Sequence, residues 1–311
     1  MKVYKSLDEF NKIANGVVTI GTFDGVHIGH QKIFSSLKNL AEQKEGETIV
    51  LTLFPHPRMV LYPDDNDLKL ITTMEERTVL FERYGIDHLI IHPFTKEFSR
   101  LSATEFVRDI LVNKIGTKAL VIGYDHRFGR HREGTFETLE EVSTLYDFDL
   151  IEIPEQDVNN IAVSSTKIRN ALMAGDIVTA SQFLGHDFEV TGTVIHGDKV
   201  GKTIGYPTAN LEIKDRYKLI PCAGIYAVYV LIEDECYKGM LYIGNRPTLN
   251  GTKQSIEVNI LDFDKDIYGK TITVSFKYKV RDDMKLNSLE ELKLQIDKDK
   301  EETIKLLSET Y

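Results

Sequence analysis

The sequence predicts an α/β domain followed by an all-β domain. Three observations carry that expectation. Short apolar runs alternate with segments of helical spacing over roughly the first 180 residues. After about Gly185 the texture changes to short, alternating, β-branched or aromatic runs separated by Gly, Asp and Asn. The length of 311 residues suits about two domains, and a 42% apolar fraction supplies their cores. The expected division is residues 1–184 and 185–311.

In the first part, Val17–Ile20, Thr48–Leu53, His88–Ile91, Ala119–Ile122 and Asp149–Ile153 read as strands. Their near-continuous apolar character predicts parallel strands covered on both faces. The intervening helices are expected at His30–Gln43, with Ile33, Phe34, Leu37, Leu40 and Ala41 inward, at Glu75–Tyr84, at Ala103–Asn113 behind an N-cap at Ser102, and at Glu137–Tyr146. In the second part, Val190–Val194, Gly224–Ile232, Tyr237–Ile243, Ser255–Leu261 and Thr271–Val280 alternate as antiparallel strands do. Ser288–Ser308 closes the chain as an amphipathic helix. Ser288 and Glu291 form its capping box, and Leu289, Leu292, Ile296, Ile304 and Leu307 its apolar stripe. The predicted fold class is thus a Rossmann-like parallel sheet domain plus an antiparallel β-barrel with a terminal helix.

Charge narrows the function. Forty-eight acidic residues against 38 basic ones give a net charge of −10, which argues against a general nucleic-acid or anionic-membrane binder. No secretory signal or membrane-spanning apolar run is evident, so the expected location is cytoplasmic. Cys222 and Cys236 are too few for a disulfide framework or a four-cysteine zinc site.

The densest motif runs from Gly21 to His30, between a predicted strand and a predicted helix. Ligands bind there in open α/β sheets. Glycines let a backbone approach phosphate, and the helix start offers free N–H groups. His27 and His30, three apart, can face one ligand and stabilise phosphoryl oxygens. A metal site is the lesser alternative, since no third ligand lies close in sequence.

These residues resemble the nucleotidyltransferases with a His-X-Gly-His signature, and more narrowly the bacterial bifunctional riboflavin kinase/FAD synthetases. Pro55-His56-Pro57, Gly123–Gly129 and Val163–Arg169 resemble further segments of that family. The resemblance implies adenylyl transfer from ATP to FMN. His27 and His30 would stabilise the α- and β-phosphates; Gly21, Phe23, Asp24, Gly25 and Gly29 would shape the nucleotide site. Ser164, Ser165 and Arg169 would hold the pyrophosphate end, Asp125 would position nucleotide or flavin phosphate, and Pro55, His56 and Pro57 would meet the flavin. Phe54 and His126 depart from the family pattern, on the flavin side.

Two decoys occupy the second part. Gly197–Thr203 fails as a P-loop, because His196 stands where the first glycine is required and Pro207 follows too soon for a helix. Asp262–Asp266 fails as an EF-hand, with Ile267 and Thr273 at the glycine and glutamate positions. What is left, Gly201 to Leu211, resembles the Gly-(Phe/Tyr)-Pro-Thr-Ala-Asn signature of riboflavin kinases. Thr208 and Asn210 are two apart, on one side of an extended segment, and their oxygens suit Mg²⁺. Glu257, on a predicted strand, can act as base on a substrate hydroxyl. The resemblance further implies that Gly197, Gly201, Lys202 and Gly205 wrap ATP and that Asn245 and Arg281 contact flavin. Asp283 and Leu286 stand where Glu and Phe are usual.

The expected protein therefore makes FMN and then FAD, with riboflavin, FMN and ATP as its small-molecule partners, Mg²⁺ as cofactor, no nucleic-acid or membrane partner, and no obligatory protein partner. Two alternatives stay open: retention of only one activity, and a flavin or nucleotide sensor without turnover.

Overall fold

Met1–Ser164 and Ser165–Tyr311 form two compact units. The computed structural model describes all residues except 65–67, 160, 198–200, 202–203, 249–250 and 309–311, and only the backbone at 245–248 and 251–253.

The first unit is built on a sheet of six parallel strands in the order β1-β4-β3-β2-β5-β6. These are β1 (Lys2–Tyr4), β2 (Gly16–Ile20), β3 (Thr48–Phe54), β4 (His88–Pro93), β5 (Thr117–Gly123) and β6 (Asp149–Ile153). Successive side chains of a strand point to opposite faces, so continuous apolar strands feed two cores. Val17, Val50, Leu89, Ala119 and Val121 pack with helices α1 (Ile28–Gln43) and α3 (Met74–Arg83). The inward residues of α1 are the five expected from sequence. Val18, Ile20, Ile49, Leu51, Leu120 and Ile122 share the other core with Phe106, Leu111, Ile115 and Leu139. Three of these come from Phe106–Ile115, the π-helical continuation of α4 (Ala103–Glu105), and Leu139 comes from α5 (Phe136–Tyr146). Ser102 caps α4 as expected, with Glu105 reaching back to its backbone N–H. A short helix, α2 (Pro57–Leu61), follows β3 and buries none of its residues.

The strand order fixes where a ligand fits. From β2 the chain runs to β3 and β4 on one side, then returns to place β5 on the other. The carboxyl ends of β2 and β5 therefore flank the switch point, where the sheet leaves a crevice.

The second unit begins with α6 (Ser165–Ala174) and α7 (Ile177–Leu184). Its centre is a closed antiparallel barrel in the order β10-β13-β12-β11-β14-β9. The strands are β9 (Phe188–Ile195), β10 (Ala209–Glu212), β11 (Gly224–Ile232), β12 (Glu235–Thr248), β13 (Gly251–Ile260) and β14 (Thr271–Asp282). Closure removes the edges that an open sheet would expose. Val190, Leu211, Val228, Leu241, Val258, Val274 and Phe276 are buried in alternation with more exposed neighbours along most strands. α7 packs on β9 and β14, and the terminal helix α8 (Leu289–Ser308) on β11, β12 and β14.

The buried face of α8 differs from the expected stripe. Leu289 is 58% and Ile304 40% exposed, whereas Asp299, Thr303 and Leu307 are buried. Counting apolar residues missed this face, because its centre is a carboxylate. Asp299 is tolerated inside because Arg281 on β14 grips it with two parallel hydrogen bonds, Nε to Oδ1 at 2.8 Å and Nη2 to Oδ2 at 2.8 Å.

Two candidate active sites

The first site grows from the turn between β2 and α1. Its backbone is unusual: Phe23 and Val26 lie at φ +47° and +43°, a region costly for side chains and most of all for a β-branched one. A buried network holds it. Asp24 accepts hydrogen bonds from the backbone N–H groups of Ile71 and Thr72, each at 3.1 Å, and pairs with Arg77 at 3.1 Å. Arg77 also donates to the carbonyls of Thr22 at 2.5 Å and Thr72 at 3.0 Å. The Gly25 N–H donates to the Thr72 hydroxyl at 3.0 Å. Asp24, expected in the nucleotide site, thus turns its carboxylate into the protein and shapes the turn from beneath. Arg77 and Thr72 are functional neighbours that sequence reasoning missed. An arginine in an amphipathic helix normally reads as surface, and nothing in the spacing signals that it is buried.

The turn delivers both histidines. His27 is the N-cap of α1 and His30 sits in its first turn. Their rings stack at 3.6 Å, tilted by 19°. Phe23 meets His30 edge-on at 5.1 Å. Gly29 leaves room for this stacking, since a Cβ there would crowd the His27 ring at 3.2 Å. Gly21 lies under the Phe23 ring, 2.9 Å from where its Cβ would be. Burial lowers the His30 pKa well below the usual histidine value, and the nearby His27 and Arg77 push it the same way. Its Nδ1 is closed off from solvent with no hydrogen-bond partner. Two close imidazoles at a helix start, with the charged form of His30 disfavoured, are poised for an incoming polyanion, which supplies the missing negative charge.

Across the crevice, β5 ends in a turn closed by His126 N–H to the Gly123 carbonyl at 3.0 Å. Asp125 is exposed at its tip. His126 stacks on Phe128 at 5.9 Å and has an unpartnered, solvent-excluded Nε2; burial, aided by the Arg132 charge, brings its pKa down to about 4. At the end of β3, Pro55 precedes His56, which caps α2 by accepting from the Arg58 N–H at 3.2 Å, with Pro57 at the first helical position. Phe54, Leu61 and Tyr62 are exposed beside them. In the second unit, Ser165 opens α6 directly after Ser164, and Arg169 is half-buried one turn further on.

The second site lies on the outer face of the barrel. Leu211, Ile256 and Val258 are buried, so alternation turns Asn210 and Glu257 away from the interior. Asn210 on β10 is paired directly with Glu257 on β13. The Thr208 hydroxyl, two residues earlier, donates to Glu257 Oε2 at 3.3 Å. Residues from two distant parts of the chain thus converge as hydroxyl, amide and carboxylate. Asn259 fixes the approach by donating to the Pro207 carbonyl at 2.7 Å. A Cβ on Gly197 would fall 2.1 Å from the Asn210 amide nitrogen and would displace that side chain. Gly201 accepts from Tyr206 N–H at 2.8 Å, closing the loop before Thr208, and Gly205 is exposed on it. The Tyr206 hydroxyl donates to Asp297 on α8. Lys202 and the Asn245 side chain fall outside the described residues. Arg281, expected at the flavin, has its guanidinium engaged by Asp299. The Thr208 hydroxyl, Asn210 amide and Glu257 carboxylate offer oxygens of the kind Mg²⁺ takes as ligands.

Comparison with known proteins agrees with this two-part arrangement. Residues 10–167 match the FAD synthetase family model and residues 184–307 the riboflavin kinase model. A bifunctional riboflavin kinase/FMN adenylyltransferase of Bacillus subtilis is 36% identical over 95% of this chain and 93% of its own. Its counterpart in Escherichia coli K12 is 36% identical over 91% of this chain and 90% of its own. A solved structure from Streptococcus pneumoniae, described as a macrolide-efflux protein, superposes with a TM-score of 0.90 at 33% identity, covering 97% of this chain and 98% of that one. No helix among the described residues here is long and apolar enough to cross a membrane. With both family models matched in order along one chain, the protein belongs to the bifunctional riboflavin kinase/FMN adenylyltransferase family.

Proposed function

We propose that each activity rests on the residues gathered at one of the two sites. The division of labour falls at residues 1–184 and 185–311. The start of the riboflavin kinase match at residue 184 supports this boundary. Riboflavin is phosphorylated to FMN in the C-terminal part, and FMN is adenylylated to FAD in the N-terminal part.

In the kinase site, Glu257 accepts the proton of the riboflavin 5′-hydroxyl. An alcohol is a weak nucleophile, so a positioned base contributes. The Thr208–Glu257 hydrogen bond supports this role, since it holds the carboxylate beside the residues that would take Mg²⁺. Thr208 and Asn210 hold Mg²⁺ through hydroxyl and amide oxygens. Bound there, Mg²⁺ would neutralise charge on the ATP phosphates. Gly197, Gly201, Lys202 and Gly205 wrap the triphosphate.

The adenylyltransferase site needs no base, because a phosphate monoester is already largely dianionic at neutral pH. Its tasks are alignment and charge stabilisation. His27 and His30 donate to the α- and β-phosphates. Asp125 and the Pro55–Pro57 segment lie on the flavin side, and the α6 start with Ser164, Ser165 and Arg169 is the candidate grip on pyrophosphate. The stacked pair His27–His30 at the head of α1 is the observation that carries this reading. Consumption of ATP at both sites suits a cytoplasmic enzyme. Incubation with riboflavin, ATP and Mg²⁺ should give FMN first and FAD second. Absence of both flavins would overturn the assignment.

A further inference from the structure

We propose that the exposed arginine loop following β5, with Arg100 beside it, is a capture site for the phosphate monoester of the incoming flavin. The inference rests on the N-terminal site being the adenylyltransferase.

The loop is anomalous in a chain with a net charge of −10. Arg127, Arg130, His131 and Arg132 fall within six positions, and all are exposed. The Arg130 N–H donates to the Leu101 carbonyl at 2.7 Å, which ties the loop to the segment bearing exposed Arg100. None of these four guanidinium groups makes an ion pair among the described residues. The neighbouring carboxylates make their hydrogen bonds elsewhere, although the Arg127 and Arg100 charges also act on Glu137 and Glu97. Glu133 accepts from the Ala103 N–H at 3.1 Å, Glu137 from the Thr135 hydroxyl, and Glu97 is held chiefly by its own backbone and Thr95. His131 and Arg132 both adopt left-handed backbone, at φ +53° and +59°. Two consecutive non-glycine residues there are costly, and such cost is borne where a geometry is needed.

Placement selects the ligand. The loop leaves the carboxyl end of β5, and the Arg132 charge acts on His126 in the turn that ends that strand. The loop therefore stands on the β5 side of the crevice, and the head of α1 on the β2 side. In phosphoryl-group substitution the attacking and leaving oxygens lie roughly in line, on opposite sides of the phosphorus. With the triphosphate at α1, a phosphate held by the β5 loop would stand across the crevice from it. Two polyanions must then meet, and free guanidinium groups offset that repulsion and bind phosphate through paired N–H donors.

The test compares the full-length protein with Arg130→Gln, Arg132→Gln and the double variant. FAD formation is measured against FMN and against ATP concentration, over a range of salt. The double variant should raise the KM for FMN about tenfold, with kcat and the KM for ATP changed less than about threefold. Its kcat/KM for FMN should also depend less steeply on salt. Arg132→Lys should recover part of the loss. Undiminished kcat at saturating FMN reports an intact site, so a folding defect is distinguished from lost capture. An unchanged KM for FMN, or a rise confined to ATP, would overturn the proposal, as would loss of a protein or RNA contact with FMN kinetics untouched. FAD formation by the unaltered protein tests the underlying reading separately.

Discussion

Arg77 and Asp24 form an ion pair 3.1 Å apart in which neither side chain is more than 2% exposed. The pair joins α3 to the turn that carries Phe23 and Val26 in left-handed backbone and delivers both stacked histidines. A buried carboxylate left without its partner is expensive. Arg77→Met should therefore destabilise the N-terminal unit by about 3–5 kcal/mol. Denaturant unfolding monitored on that unit checks the size of the effect. FAD formation should fall with it, while riboflavin phosphorylation persists.

The lowered pKa of His30 makes a prediction about protons. Without substrate the imidazole is neutral at pH 7, because burial, His27 and Arg77 all oppose its charge. A triphosphate beside it favours the charged form. ATP binding to the N-terminal site should thus take up a fraction of a proton near neutral pH. Titration calorimetry in buffers of different ionisation enthalpy measures that uptake, and His30→Ala should reduce it.

His126 predicts an acid limb in stability. Its pKa is about 4 in the folded protein against 6.5 for an unburied histidine. Between those values the unfolded chain binds the extra proton, so stability declines as pH falls from about 6.5 toward 4. Above pH 6.5 this contribution is fully present. His126→Phe keeps a ring on Phe128 and removes the titrating group. Its melting temperature should fall less between pH 7 and pH 5 than that of the unaltered protein.

Asp299 is the corresponding buried charge of the second unit, 3% exposed and held in two hydrogen bonds by Arg281. Asp299→Ala strands that arginine against α8. The barrel unit should lose about 3 kcal/mol, read from its unfolding midpoint, and riboflavin phosphorylation should become more heat-sensitive.

Much of this architecture was legible in the residues. The runs around Val17, Thr48, His88, Ala119 and Asp149 are strands, and the five inward residues of α1 were named by spacing alone. Periodicity reports such elements because burial of apolar groups causes both pattern and fold. β1 escaped it, being three residues at a sheet edge, and so did α2, whose side chains have no core to face. Asp24, Arg77, Arg281 and Asp299 show the other limit. Whether a charged side chain faces ligand or stands buried against an opposite charge depends on residues 53 or 18 positions away. Only the folded chain reveals those partners. By contrast the signature singles out Thr208 and Asn210, a predicted strand carries Glu257, and the pairing of β10 with β13 brings the three together.

The central claim is that two separate sites act in sequence on one flavin. The most direct measurement follows FMN and FAD by chromatography for His30→Ala and Glu257→Ala, each confirmed to be folded. His30→Ala should convert riboflavin to FMN and stop there. Glu257→Ala should leave riboflavin unphosphorylated, a loss of at least about a hundredfold, yet make FAD from supplied FMN. Loss of both reactions in either folded variant would contradict the account.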